Sequence, residues 1–197
     1  MSLSSEKSVA KSQRKQFDLL SPSEHIGIRS IRRSEISKAA QFASRHLPSL
    51  KLGNLSIFER IVALDCDSIQ LFESGGKLVG LYAMLFLNRT GEEALLAGNF
   101  DGANPCTSLL AQKCEKPAAI YTWFVACPGR AASGIGNIAQ YLQGARFAHA
   151  DLFARPATAA GLRIMRSTGH YPISSDPNGL HCYRRILNRP LSSQKAA

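Results

Sequence analysis

The stretch "PGRAASGIGNIAQYL" (residues 128–142) follows directly on the apolar run "AAIYTWFVAC" (118–127). Glycine is costly inside a helix and marks backbone that bends or is approached closely. Here Gly134 and Gly136 stand where a buried strand gives way to a helical pattern. A strand, a glycine-bearing loop and a helix start, in that order, form a nest of backbone N–H groups suited to an anion. Three phosphate-loop readings compete for it. A Walker A loop ends in Gly-Lys-Ser or Gly-Lys-Thr, and neither occurs in the chain. A dinucleotide fingerprint, G-x-G-x-x-A, fits Gly134, Gly136 and Ala139, with Asp151 near the place of the ribose-binding acid. That motif normally opens a parallel doubly wound sheet, whereas this one follows a long segment with an antiparallel hairpin signal. An NAD-binding Rossmann protein is therefore the least favoured alternative.

Working outward, "HIGIRSI" (25–31) alternates as a short strand does, and Ser34 reads as the N-cap of a helix with Glu35 in its first turn. Ile36, Ala39, Ala40, Ala43 and Leu47 then share one helical face. A second helix over 55–65 carries Leu55, Phe58, Ile61, Val62 and Leu64. In "SIQLFESGGKLVGLYAMLFLN" (68–88), two strands flank Gly75-Gly76, a hairpin turn. The insert 92–117 is harder: "EEALLAGNF" reads as an added strand and "CTSLLAQKC" as a short helix. Beyond the glycine loop come a helix over 135–143, a strand "FAHADLFA" (147–154), a helix over 157–167 and a final strand "LHCYRRIL" (180–187). This order specifies an α/β (α+β) domain. Its sheet is mixed and largely antiparallel, with six or seven strands flanked by helices.

Composition bounds the rest. The chain has 197 residues, enough for one substantial core. Residues 1–22 read as a disordered basic tail, 23–190 as the domain and 191–197 as a second tail. Five cysteines without a CxxC pair argue against a disulfide framework or a zinc site and for a reducing compartment. The apolar runs are too short to span a bilayer and no signal-peptide core is present, so a cytoplasmic location is expected. The net charge is +10, yet the basic residues are scattered without an aromatic–basic stripe. A solvated basic surface fits this better than a nucleic-acid site.

The wider register "FVACPGRAASGIGNIAQYL" (124–142) resembles the acyl-CoA loop of the GCN5-related N-acetyltransferases, V-x-P-x-x-R-G-x-G-x-G/A. Pro128 falls at the proline, Gly134 and Gly136 at the last two small positions. Downstream, "ADLFARPATAAGLRIMRSTGHYPI" (150–173) is similar to that family's strand, helix and Gly-Phe ending, with Gly169-His170 at the last pair. The resemblance spans 26–187 and implies an acyl-CoA N-acyltransferase fold. It also implies acetyl-CoA or another acyl-CoA as co-substrate, and direct transfer to a small-molecule or protein amine, with a homodimer allowed. It places the coenzyme pyrophosphate at Arg130, Ala131, Ala132, Ser133, Gly134, Ile135, Gly136 and Asn137. The acyl carbonyl is placed at a backbone N–H among Phe124, Val125 and Ala126.

Departures weigh on the catalytic half. Ala131 stands at the loop's Arg or Gln, Ala132 at its first Gly, and Met165 at the family's general-acid Tyr. The Asn often found earlier in that helix region falls near Thr158. A degenerate, non-catalytic acyl-CoA-binding or interaction module is therefore the alternative. The candidate catalytic residues are Tyr171, just past the last helix beside His170, and Tyr121 on the strand before the loop; both also read as packing aromatics. His149 and Asp151 read as a base dyad or a structural pair on one strand face. Cys127 reads as an acylation site or as a small buried residue. Neither acceptor-side segment, 30–60 nor 172–180, carries a recognisable code.

Overall fold

The computed structural model describes residues 25–47, 55–174, 176 and 179–185, so both expected tails lie outside the described residues. Gly75 and Gly76 adopt φ of 55° and 72°, the left-handed backbone a tight hairpin needs, and join β2 (Ile69–Ser74) to β3 (Lys77–Leu87). β1 (Gly27–Ser30) pairs antiparallel with β2, and β4 (Ala119–Ala126) antiparallel with β3. β5 (Asp151–Ala154) runs parallel to β4. β6 (Tyr171–Pro172) and β7 (His181–Tyr183) complete a seven-stranded sheet of order β1-β2-β3-β4-β5-β7-β6. The mixed, mainly antiparallel sheet is the architecture the element order called for.

Helices cover both faces. On one, α1 (Ile36–His46) buries Ile36, Ala39 and Ala43, and α2 (Leu55–Leu64) buries Ile57, Phe58, Ile61 and Val62. They pack on Leu71, Leu81, Ala83 and Phe124, and the layer continues through Leu85, Tyr121, Phe153 and Cys182. On the other face α4 (Gly134–Tyr141) sets Ile138 against a layer holding Phe72, Met84, Phe86 and Ile120. The helix α5 (Ala159–Ser167) begins at Thr158, whose Oγ1 accepts the Gly161 N–H at 3.0 Å.

Several local expectations are corrected. Ser34 is no cap: it lies inside a 3-10 turn, Arg33–Glu35, and the Glu35 carboxylate accepts the Arg32 N–H at 3.0 Å. The added strand expected in 92–100 is instead helix α3 (Arg89–Leu96), because Asn88 Oδ1 accepts the Gly91 N–H at 2.9 Å and starts a turn. A Cβ on Gly91 would lie 2.1 Å from the Leu109 carbonyl oxygen, so glycine lets this helix sit on the following loop. The helix expected in 106–114 shrinks to a 3-10 turn, Thr107–Leu109. The strand read over 147–154 starts only at Asp151, since Phe147 and Ala148 both donate to the Gly144 carbonyl and fold 144–150 into turns. The last strand is likewise shorter than 180–187 among the described residues.

Arg146 binds these turns to the body. It pairs with Asp65, only 2% exposed, and donates to the Glu115 and Gln112 carbonyls. Its guanidinium lies 5.1 Å and 4.9 Å from the ring centres of Phe86 and Phe147. Asp65, Cys66 and Asp67 bring three ligand atoms within 4.8 Å of one another, but Arg146 already faces both carboxylates.

Candidate active site

The strand β4 changes character halfway along. Residues 119–122 pair with β5, ending at Thr122↔Ala154, while β4 itself runs on to Ala126. Two local causes end the pairing. Pro156 has no N–H and cannot extend the β5 ladder. On β4, the register with β3 slips between Ala83↔Phe124 and Met84↔Thr122, leaving Trp123 as an extra, bulged residue. A bulge bends and twists its strand. Residues 123–126 are thus bonded to β3 alone, and alternate N–H and C=O groups face an opening within the sheet.

The insert roofs this opening on the α2 side. Trp123 Nε1–H donates to the Gly102 carbonyl at 2.7 Å, and Arg60 donates to Asn104 Oδ1 at 2.8 Å. Phe58 and Phe124 flank the indole, with ring centres at 5.3 Å and 5.1 Å. Tyr121 lies beneath the roof, edge-on to Phe100, and burial pushes its hydroxyl pKa up.

Beyond β4 the chain turns helical at once. Gly129, at φ 57°, opens a 3-10 turn (Gly129–Ser133) that runs on into α4. Ala131 N–H donates to the Pro128 carbonyl at 3.2 Å, and Gly134 N–H to the Ala131 and Ala132 carbonyls. The first amides of the run, those of Gly129 and Arg130, have no partner within the helix. Ala132, Ser133 and Gly136 are exposed and Ala131 is buried. The two glycines differ in purpose. A Cβ on Gly134 would stand 2.8 Å from the Phe72 ring, whereas one on Gly136 would meet nothing within 4 Å. Asn137 turns its amide inward and donates to the Ile26 carbonyl at 2.6 Å, and half-buried Ile135 packs beside Phe72. Phe124 and Ala126 are buried, and half-buried Val125 faces the α4 layer.

The remaining candidates separate in space. Tyr171 sits on the edge strand β6, 41% exposed, in a cross-sheet row Tyr121↔Phe153↔Cys182↔Tyr171. Three strand spacings put it roughly 14 Å from Tyr121. Its strand partner is Cys182, whose thiol pKa burial pushes up to about 11. His149 and Asp151 do not share a strand face: His149 is exposed in the turn, and Asp151 Oδ1 accepts the Arg185 N–H at 3.0 Å. His170 meets Thr168 Oγ1 at 3.0 Å, and burial lowers its pKa. Cys127 is half-buried, and burial raises its thiol pKa. Sequence reading passed over Trp123 and Arg155; the Arg155-Pro156 step after an apolar strand was the available signal.

No family model matches the chain, and no curated protein does. Solved structures do. The loading GNATL domain of CurA from Lyngbya majuscula superposes with a TM-score of 0.59 at 12% identity, covering 81% of this chain and 98% of that one. The chain has the fold of the GCN5-related N-acetyltransferases. Diaminobutyrate acetyltransferase EctA from Paenibacillus lautus shares this GNAT fold at a TM-score of 0.52 and 12% identity, over 85% and 99% of the two chains. The GNAT-like decarboxylase GphF matches at 0.50 and 13%, over 73% and 71%. At such identities the likeness is one of GNAT architecture.

Proposed function

We propose that the protein is an acyl-CoA-dependent N-acyltransferase, acting by direct transfer at the opening between β4 and β5. The observation that carries this is the open edge of β4 over 123–126, inside a sheet that is otherwise paired across β4. Backbone polar groups in such a slot need partners, and an extended amide-bearing arm supplies them. Structures sharing the fold support the reading: EctA is described in complex with diaminobutyric acid and coenzyme A, and GphF with isobutyryl-CoA.

The site's chemistry fits such a ligand. Acyl-CoA would bring an activated thioester. Amides at Phe124, Val125 and Ala126 would orient its carbonyl and hold developing negative charge. Residues 130–137 would receive the pyrophosphate, with Arg130 supplying charge and Gly136 leaving the backbone accessible. Gly134 contributes to that loop through packing on Phe72. We assign the proton donor to Tyr121, which lies on β4 beside the opening and whose phenol is protonated at neutral pH. Tyr171, on the sheet edge two strands away from β4, is the lesser candidate.

The test is calorimetry with acetyl-CoA on the wild type and on Gly136→Asp, which puts a carboxylate in open space without touching the core. The variant should keep its melting temperature and lose ~10-fold or more in affinity. Equal affinity would remove residues 130–137 from the site. A second reading, a non-catalytic binding module, is favoured by the engagement of Asp151 with the Arg185 amide and by the place of Tyr171 on the sheet edge. Release of free thiol above the uncatalysed rate with any amine of a panel eliminates it.

A further inference from the structure

Two groups at the opening carry chemistry that the fold does not use. Tyr121 is 9% exposed, and its hydroxyl has no hydrogen-bond partner among the described residues. No polar side-chain atom shut off from solvent lacks a partner among the described residues, so this hydroxyl reaches water, and a ligand entering the opening would take that water's place. The second group is Arg155. It follows Ala154, the last β5 residue paired to β4, and so stands level with the Trp123 bulge across the opening. Strand alternation from Phe153, the partner of Tyr121, directs it to the Tyr121 face. Buried Pro156 restricts Arg155 to extended backbone and so fixes that direction. Its charge reaches the Tyr121 hydroxyl.

Arg155 is exposed and pairs with no carboxylate among the described residues, whereas Arg29, Arg89 and Arg146 are all ion-paired. Asp101 in the roof is held by its own turn, its Oδ1 accepting the Ala103 and Asn104 N–H groups, and forms no ion pair with Arg155. A guanidinium without a carboxylate partner, at the mouth of a slot, is a receptor for a planar anion.

We propose that Arg155 is a specificity residue that binds a carboxylate on the substrate, borne either by the acyl group or by the acceptor amine. This rests on reading the opening as the acyl-transfer site. The guanidinium fork gives such a carboxylate two parallel donors, which a neutral analogue leaves unfilled. Lysine keeps the charge at that position but not the fork.

The experiment uses the full chain and two matched pairs read by calorimetry. One pair is succinyl-CoA against acetyl-CoA; the other is β-alanine against β-alaninamide, with and without coenzyme A. At least one carboxylate member should bind 10-fold or more tightly than its partner. Arg155→Gln should reduce that ratio to within twofold, and Arg155→Lys should restore part of it. Preference in the first pair identifies the acyl group as the source, preference in the second the acceptor. Ratios within twofold in both wild-type pairs overturn the proposal, as does a preference that survives Arg155→Gln. Failure of coenzyme A itself to bind sinks the acyltransferase reading instead, and the amine pair without coenzyme then decides the role of Arg155.

Discussion

The two halves of β4 are built from similar residues and behave differently. Over 119–122 the strand is paired on both sides and its side chains close two apolar layers. Over 123–126 it keeps β3 and loses β5. The difference arises from one extra residue, Trp123, and one missing N–H, that of Pro156. Apolar content alone therefore does not decide whether a stretch serves as core or as site; backbone pairing does. The closed half holds the fold, and the open half leaves backbone groups unpaired toward β5.

Substitutions can break that contrast. The largest effect belongs to the closed half. Leu85, fully buried opposite Tyr121, should cost about 2–5 kcal/mol on truncation to Ala. Val125→Ala in the open half should cost well under half of that in denaturant melts. Equal losses would show that the opening is packed as firmly as the core. Next come the two glycines of the α4 segment. Gly134→Ala forces a methyl against the fully buried Phe72 ring and should destabilise by about 1–3 kcal/mol. Gly136→Ala, in open helical backbone, should stabilise by up to about 1 kcal/mol. Thermal melts of the pair read the difference in sign, and a similar shift in both would refute the division of labour.

A smaller change is expected at the roof. Trp123→Phe removes the 2.7 Å bond to the Gly102 carbonyl and should cost about 1 kcal/mol. It should speed amide exchange in 98–105 more than in β2; uniform exchange would mean that the insert is held by other contacts. The smallest effect lies far from the opening, where Arg29 ties β1 to β2 through Glu73 and to the 3-10 turn through Glu35. Its guanidinium holds the Glu35 carboxyl down at about 2, against an ordinary 4.5. A depressed carboxyl stabilises the fold above its unfolded value and stops doing so as pH falls through the folded one. Stability should decline between pH 4.5 and about 2, and Arg29→Gln should flatten that decline. A slope unchanged in the variant would place the acid sensitivity elsewhere.

Much of the frame was legible because it is written in short-range patterns. Gly75-Gly76 between apolar runs needs only its own neighbours to turn, and the stripe of Ile36, Ala39 and Ala43 shows itself within three helical turns. The run 119–126 and the glycine register after Pro128 were readable for the same reason, and they carried the fold. The insert was misread because "EEALLAGNF" holds apolar doublets compatible with either period; the cap at Asn88 and the seat of Gly91 on Leu109 decided for helix.

What only the tertiary structure decided depends on residues distant in sequence. Gly134 reads as room for a ligand until the ring of Phe72, from a strand some sixty residues earlier, is found beside its missing side chain. The bulge at Trp123 exists only in the register against β3, and Tyr121 and Arg155 become neighbours only because β4 and β5 run parallel. Tyr171 stands apart from them for the converse reason: two strands, β5 and β7, lie between it and β4. Local periodicity sets which face a side chain takes. Pairing between strands sets what that face meets, and no window of sequence contains both partners.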